Sequence, residues 1–355
     1  MNEEPAKFRI GLTGDFYKDG EAVYPDFDLG PLQNEPGIEF STFDEHHEEI
    51  APEQLAGLNG VVVLTPRVTA QSLAQSQRLI AISRFGVGYD SVDVTACTEN
   101  DVALCITTGA VDRPVAEATI GWMFALSYRM QAKDRFFREA RWAERGDIMG
   151  GGLHGKTVGI VGFGGIGRTV ARLADGLGMN TPLVYDPGLD PETITKLGGE
   201  SVALPYLMAR SDFVSVHCPL NKHTANLIST PELELMKPDA FILNTARGGI
   251  INEDALFDAL SADRIAGAAL DCFVDEPITE PSRFAQLEDV ILASHNIAWT
   301  RELFRDIGAM ASRSLIDLAN GKRPKSVVNP EVFDRPSFQE KWELLKVDHP
   351  ALQSK

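Results

Sequence analysis

Three apolar stretches in the second half of the chain each run into a residue able to do chemistry. Phe241-Ile242-Leu243-Asn244 leads into Thr245-Ala246-Arg247-Gly248-Gly249, and Ala266 to Leu270 leads into Asp271-Cys272-Phe273-Val274-Asp275-Glu276-Pro277. Val290-Ile291-Leu292 leads into Ala293-Ser294-His295-Asn296. Short apolar runs of this kind read as buried strands, and in open α/β sheets the carboxyl ends of the strands line the ligand crevice. An Arg, a Glu and a His therefore emerge at one edge. A planar guanidinium can hold a carboxylate and polarise a neighbouring ketone. An imidazole can give a proton to a developing alkoxide. A carboxylate beside that imidazole stabilises the imidazolium and fixes its orientation. These residue types suit the reduction of a 2-keto acid.

A reductant is implied further upstream. Thr157-Val158-Gly159-Ile160-Val161 reads as a buried strand, Gly162-Phe163-Gly164-Gly165-Ile166-Gly167 follows it directly, and helical periodicity runs from Arg168 to Leu177. This is G-x-G-x-x-G in its strand–turn–helix setting. Gly162 permits the tight turn, Gly164 lets the backbone approach a pyrophosphate, and Gly167 lets helix and strand pack closely. The helix N-terminus favours the anionic group. A second strand, Leu183-Val184-Tyr185, ends in Asp186, nineteen residues after Gly167. An acid there accepts hydrogen bonds from ribose hydroxyls and repels a 2′-phosphate, so NAD is expected rather than NADP.

The elements that must position these groups alternate from end to end. Phe8 to Leu12 and Gly60 to Leu64 read as strands, Thr69 to Gln77 as a helix, and Leu79 to Ile82 as another strand. Such alternation predicts parallel sheets covered by helices: an α/β protein of two Rossmann-like, doubly wound domains with a cleft between them. Pro114 opens a helix expected to reach Met130, apolar nearly all round and so buried on several faces, which suggests a homodimer. A polar arm, Lys133 to Asp147, and Gly150-Gly151-Gly152 follow it. A last apolar-periodic helix, Leu303 to Leu318, stops at Asn320-Gly321, and the tail after Asn329-Pro330 reads as short and charged. Residues 1–112 with 300–355 are expected to form a discontinuous substrate domain and 113–299 the NAD domain. Hinges are expected near Gly109–Pro114 and His295–Thr300.

Composition narrows the function classes. A formal charge of −18 over 355 residues, with Lys and Arg scattered among acids, argues against nucleic acid as a partner. No apolar run reaches the roughly 18 residues needed to span a bilayer, and the N-terminus lacks the basic flank and apolar core of a signal peptide. Cys97, Cys105, Cys218 and Cys272 are widely spaced, so buried thiols and a cytoplasmic setting are expected. His46 and His47 sit in the acidic run Asp44 to Glu49 without other spaced ligands, so no metal site is read there.

The chain resembles the D-isomer-specific 2-hydroxyacid dehydrogenases from about Val61 to Pro330. The resemblance rests on an ordered series: GVGYDSVD (Gly86 to Asp93), VAE (Val115 to Glu117), GFGGIGR (Gly162 to Arg168), HCPL (His217 to Leu220), MKPDAFILNTARGG (Met236 to Gly249), ALDCFVDEP (Ala269 to Pro277) and ILASHNIAWT (Ile291 to Thr300). Among that family, phosphoglycerate dehydrogenases and hydroxypyruvate/glyoxylate reductases look most similar. The resemblance implies His295 as acid/base, Glu276 as its partner and Arg247 as substrate anchor. It places Asp271 near the nicotinamide carboxamide, with Pro219, Thr224, Thr245 and Ala246 along the cofactor cleft. It also implies backbone N–H groups of Val87 and Gly88 on the substrate carboxylate.

Departures from the family pattern fall around the substrate. Ser294 replaces the usual proline before the histidine, Asn296 interrupts the usual HIAG continuation, Val111 stands for an asparagine, and Cys272 stands for a valine. Asn296 and Trp299 read equally as pocket lining or as packing. Arg67, Arg84 and Arg113 are candidates for a second anionic or polyol group of the substrate, or surface ion pairs. His217 and His223 read as structural or cleft-lining. Two other function classes share this pattern: an NAD-binding corepressor, and an oxidoreductase of a one-carbon or inorganic substrate such as formate or phosphite. The Glu276–His295 pair suits a 2-keto acid better than formate.

Overall fold

The computed structural model describes residues 7–24 and 27–348. The chain divides into two compact units, one formed by residues up to Val111 together with those from Thr300 onward, the other by Asp112–Trp299. Strands are numbered β1 to β12 along the chain.

In the first unit the strands β1 (Phe8–Leu12), β2 (Ile38–Thr42), β3 (Gly60–Val63), β4 (Ala81–Arg84) and β5 (Ala103–Cys105) form one parallel sheet in the order β2-β1-β3-β4-β5. The order reverses between β1 and β3, the switch point of a doubly wound sheet. Val61, Val62, Val63, Ala81 and Ile82 are each wholly buried, as expected where helices cover both faces. One covering helix is Arg301–Ala319, whose Thr300 hydroxyl caps the Leu303 amide and whose Ala311 carbonyl accepts the buried Ser83 hydroxyl at 3.1 Å. Gly321, at φ 68°, follows its end.

Two expectations fail in this unit. Thr69 to Gln77 is a run of turns rather than a helix. The Thr69 hydroxyl accepts the Gln71 and Ser72 amides while the Ser72 hydroxyl accepts the Thr69 amide, and these local bonds compete with a helix. The tail is not merely a charged extension, because Pro336–Asp348 is a helix. Phe338 and Leu345 are buried, and Phe333, Phe338 and Trp342 form an aromatic cluster.

In the second unit, β6 (Val158–Val161), β7 (Leu183–Tyr185), β8 (Glu200–Ser201), β9 (Phe213–Val216), β10 (Phe241–Asn244), β11 (Gly267–Leu270) and β12 (Val290–Leu292) make a seven-stranded parallel sheet. The order is β8-β7-β6-β9-β10-β11-β12, so the switch point lies between β6 and β9. Alternate residues of each strand enter opposite cores. Val158, Ile160, Phe213, Leu243 and Ala269 join one core. Val161, Val214, Val216, Ile242, Ala268 and Leu270 join the other. Each large side chain so buried contributes roughly 1.5–3 kcal/mol, before conformational entropy is set against it.

The helix opened near Pro114 spans Asp112–Ser127, three residues short of the expected Met130. Arg129 turns left-handed at φ 50°, and the Gly151 amide takes the Ser127 carbonyl at 2.7 Å. A separate helix, Met130–Arg138, and a 3-10 turn, Trp142–Glu144, then occupy much of the polar arm. Ala116, Ile120, Trp122, Met123 and Leu126 are buried, while Glu117 and Gly121 stay exposed. Among the described residues, no helix is long and apolar enough to cross a membrane.

Candidate active site

The loops after β10, β11 and β12 are adjacent because their strands are adjacent, and they bring Arg247, Glu276 and His295 together. Glu276 Oε2 lies 2.8 Å from His295 Nδ1, and its Oε1 accepts the Phe273 amide at 2.8 Å. Burial pushes the Glu276 carboxyl upward. The His295 hydrogen bond, the Phe273 amide and the charges of His295 and Arg247 outweigh that burial and hold it below its ordinary range. The Arg247 guanidinium therefore acts on the pair, and one of its nitrogens also donates to the Ala246 carbonyl at 2.7 Å.

Backbone contacts fix where the imidazole stands. His295 is left-handed at φ 55°, and its amide donates to the Asp271 carbonyl at 2.8 Å. The Asp271 carboxylate, almost wholly buried, accepts the amides of Asn296 at 2.8 Å and Ile297 at 3.2 Å. Desolvation raises its carboxyl despite those amides and the nearby imidazole. Asp271 thus ties the loop after β12 to the end of β11. The Asn296 side chain accepts the Ser294 amide at 3.2 Å, so it too shapes the turn around His295.

Sequence reasoning passed over two residues that position Arg247. Asn244 is 2% exposed, donates to the Arg247 carbonyl at 2.8 Å and accepts the Ala246 amide at 3.1 Å. A side-chain amide closing the chain just past a strand is an Asx-type signal that the word FILNTARG carries. A Cβ on Gly248 would stand 2.0 Å from the Phe273 carbonyl carbon, so only glycine lets the Arg247 loop lie against the segment leading to Glu276. Cys272, 3% exposed, donates its thiol to the Ala246 carbonyl at 3.4 Å.

The glycine loop fits a dinucleotide. Gly162 has φ 94°, and a Cβ there would stand 2.6 Å from the Cys218 amide nitrogen of the chain leaving β9. A Cβ on Gly164 would meet nothing within 4 Å among the described residues, so the backbone is open at the start of the helix Gly165–Gly176. A Cβ on Gly167 would stand 2.4 Å from the Gly162 carbonyl oxygen, which fixes the close helix–strand packing. Ile166 lies between them in the first helical turn. Asp186 directly follows β7, and its two oxygens accept the amides of Phe163 at 2.7 Å and Gly188 at 2.9 Å.

The remaining cofactor candidates are in the same unit. The Thr224 hydroxyl closes a turn onto the Pro219 carbonyl at 2.6 Å, and Thr245 lies 3.5 Å from Thr119. His217 has Nε2 2.8 Å from the Ser215 hydroxyl and a buried Nδ1 without a partner among the described residues, and burial pushes it down to about 3. His223 stands exposed on the turn closed by Thr224, its amide taken by Asn221.

The substrate candidates belong to both units. Arg113, 74% exposed, donates to Glu117 one helical turn away at 2.6 Å, and Trp299 is half exposed. In the first unit Arg67 pairs with Glu49 at 3.3 Å, and Arg84 donates to the Phe85 carbonyl at 2.7 Å. Val87 and Gly88 follow Gly86, which has φ 137°, on the loop after β4.

Comparison with known proteins identifies the family. Residues 120–296 match the family model of the D-isomer specific 2-hydroxyacid dehydrogenase NAD binding domain. The chain is 35% identical over 280 residues to a glyoxylate reductase of Thermococcus litoralis, covering 77% of this chain and 84% of that one. It is 33% identical over 279 residues to a D-3-phosphoglycerate dehydrogenase of Archaeoglobus fulgidus, covering 79% of this chain and 53% of the longer relative. Among solved structures, a glyoxylate reductase from Paecilomyes thermophila superposes with a TM-score of 0.78 at 27% identity, covering 92% of this chain and 99% of that one. The chain belongs to the D-isomer-specific 2-hydroxyacid dehydrogenase family and is an NAD-dependent oxidoreductase of small 2-hydroxy and 2-keto acids.

Proposed function

We propose that the protein reduces a small 2-keto acid of the glyoxylate or hydroxypyruvate type to the corresponding 2-hydroxy acid, the D isomer where C2 becomes a stereocentre. The observation that carries the reading is the 2.8 Å Glu276–His295 contact within the field of Arg247. When bound, the dinucleotide would provide the hydride that the substrate's C2 receives. Arg247 anchors the carboxylate and polarises the C2 carbonyl, a task for a planar fork with several donors. Glu276 engages Nδ1, so Nε2 is the nitrogen that gives its proton to the alkoxide oxygen, and Glu276 stabilises the imidazolium before that transfer. Oxidation of the hydroxy acid runs the same proton in reverse.

Gly162, Gly164, Gly165, Ile166, Gly167 and Asp186 would hold the dinucleotide's pyrophosphate and adenosine ribose, and Pro219, Thr224, Thr245, Ala246 and Asp271 would line the rest of its cleft. The amides of Val87 and Gly88, in the substrate domain, are proposed as further donors to the substrate carboxylate, and Arg113 as a contact to a larger substrate. The relatives named glyoxylate reductase support a small substrate of the glyoxylate type. NADH oxidation by the purified protein against glyoxylate, hydroxypyruvate, phosphohydroxypyruvate and four-carbon sugar acids tests this. The highest kcat/KM is expected with glyoxylate or hydroxypyruvate, and turnover confined to the phosphorylated acid would contradict the reading.

We also propose a homodimer working in the cytoplasm. Phe137, Trp142 and Met149, on the arm after the Asp112–Ser127 helix, are 72%, 65% and 79% exposed. Large apolar side chains gathered on one arm suit a protein interface better than solvent. A reducing compartment suits Cys272, whose thiol lies beside the proposed acid/base pair.

A further inference from the structure

The active-site loops gather a second kind of chemistry. Cys272, Glu276 and His295 each offer one donor atom (the thiol sulfur, a carboxylate oxygen and a ring nitrogen), and the three atoms lie within 4.8 Å of one another. The thiol is buried two residues past β11, while the other two side chains are partly open, 33% for Glu276 and 44% for His295. We propose that these three residues form an inhibitory site for a thiophilic divalent cation, zinc above all, and that occupancy switches the dehydrogenase off.

The donor set selects the ion. One thiolate, one imidazole and one carboxylate suit zinc, whereas magnesium and calcium take oxygen donors. Zinc bonds of about 2.3 Å to sulfur and about 2.0–2.2 Å to nitrogen and oxygen put tetrahedral ligands roughly 3.3–3.6 Å apart. Glu276 and His295, at 2.8 Å, already stand closer than that, so they must open slightly, while the sulfur, within 4.8 Å of both, has at most about an ångström to close. The Cys272 thiol donates weakly to the Ala246 carbonyl at 3.4 Å, a contact that a side-chain rotation would exchange for the metal. Binding is ligand exchange without redox change: Zn²⁺ replaces the proton on the Cys272 sulfur and any proton on the ligating ring nitrogen, and those protons leave to solvent. Three protein donors leave the fourth position for water.

The effect on turnover follows from proton counting and rests on the reading of His295 as the acid. An imidazole bound to a metal through one nitrogen cannot also become the imidazolium that delivers a proton. Glu276, drawn onto the metal, no longer engages Nδ1.

Two readouts test this. In the full-length protein without NADH, Co²⁺ is expected to give a near-ultraviolet thiolate-to-cobalt charge-transfer band that Cys272→Val abolishes. In assays of NADH oxidation with glyoxylate under buffered free zinc, the wild type is expected to lose activity reversibly on addition of zinc and regain it with chelator. Cys272→Val, close in volume, is expected to keep its zinc-free rate and to need roughly tenfold more zinc or higher for half inhibition. Equal zinc sensitivity in the two proteins, or a cobalt complex without the thiolate band, would overturn the proposal. Absence of any zinc-free turnover would count against the dehydrogenase reading, while the cobalt band reports on the site independently of it.

Discussion

Glu276 does its work by remaining an anion beside a group that gains and loses a proton. Burial opposes its ionisation, and the His295 ring, the Phe273 amide and the Arg247 charge restore it. Without the negative charge the imidazolium is less stable, so fewer molecules carry the proton that reduction consumes. Glu276→Gln is therefore expected to lower kcat for 2-keto acid reduction by roughly 10²-fold and to move the alkaline fall of the pH–rate profile to lower pH. Profiles measured in both reaction directions check this, because oxidation, which needs the neutral ring, should suffer less at the same pH. A lowered kcat with an unmoved profile would make Glu276 a purely steric support. At this scale the sequence was informative for the three reactive side chains, since Arg247, Glu276 and His295 each sit just past an apolar run. It said less about Asn244, Gly248 and Asp271. Their tasks are hydrogen bonds to neighbouring loops and a backbone approach that no local spacing encodes.

Among the elements, the glycine loop was readable because its constraints are local. The left-handed Gly162 and the packing of Gly167 on the Gly162 carbonyl are properties of six consecutive residues. Helix ends were less readable. Nothing in Tyr128-Arg129 announces a break, and Arg129 turns left-handed without a glycine, where the Gly151 amide meets Ser127 from 24 residues further on. The helix Pro336–Asp348 was hidden by its charges, although Phe338, Trp342 and Leu345 follow helical spacing. The end of β9 carries a testable consequence in His217. Its folded value of about 3 lies below the ordinary 6.5, so the unfolded chain binds a proton that the native chain refuses. Stability from this residue is complete above about pH 6.5 and declines as pH falls toward 3. His217→Gln is expected to lose less stability than the wild type between pH 7 and pH 5, by on the order of 1 kcal/mol. Urea unfolding midpoints at the two pH values measure it, and an equal loss in both proteins would show that His217 charges freely in the native state.

For the molecule as a whole, the alternation of apolar strands and helices fixed the class of both sheets before their strand orders were known. The orders themselves follow from which strands pair, which spacing does not state. In the proposed homodimer the exposed Phe137, Trp142 and Met149 of the otherwise polar arm are the contacts that would offset the repulsion between two chains of charge −18. Light scattering at micromolar concentration is expected to return twice the mass of one chain, falling toward one in Phe137→Ser/Trp142→Ser, whereas a monomeric wild type would refute the proposed assembly. The central claim is that His295 gives the proton in a reaction whose hydride comes from NADH. It is tested most directly by rapid mixing of the NADH-loaded protein with glyoxylate or hydroxypyruvate, in wild type and in His295→Ala. The account predicts that the single-turnover rate of NADH oxidation falls by about 10²–10⁴-fold in the variant while NADH affinity, followed by fluorescence, stays within a few-fold. A variant that oxidises bound NADH at nearly the wild-type rate would contradict it.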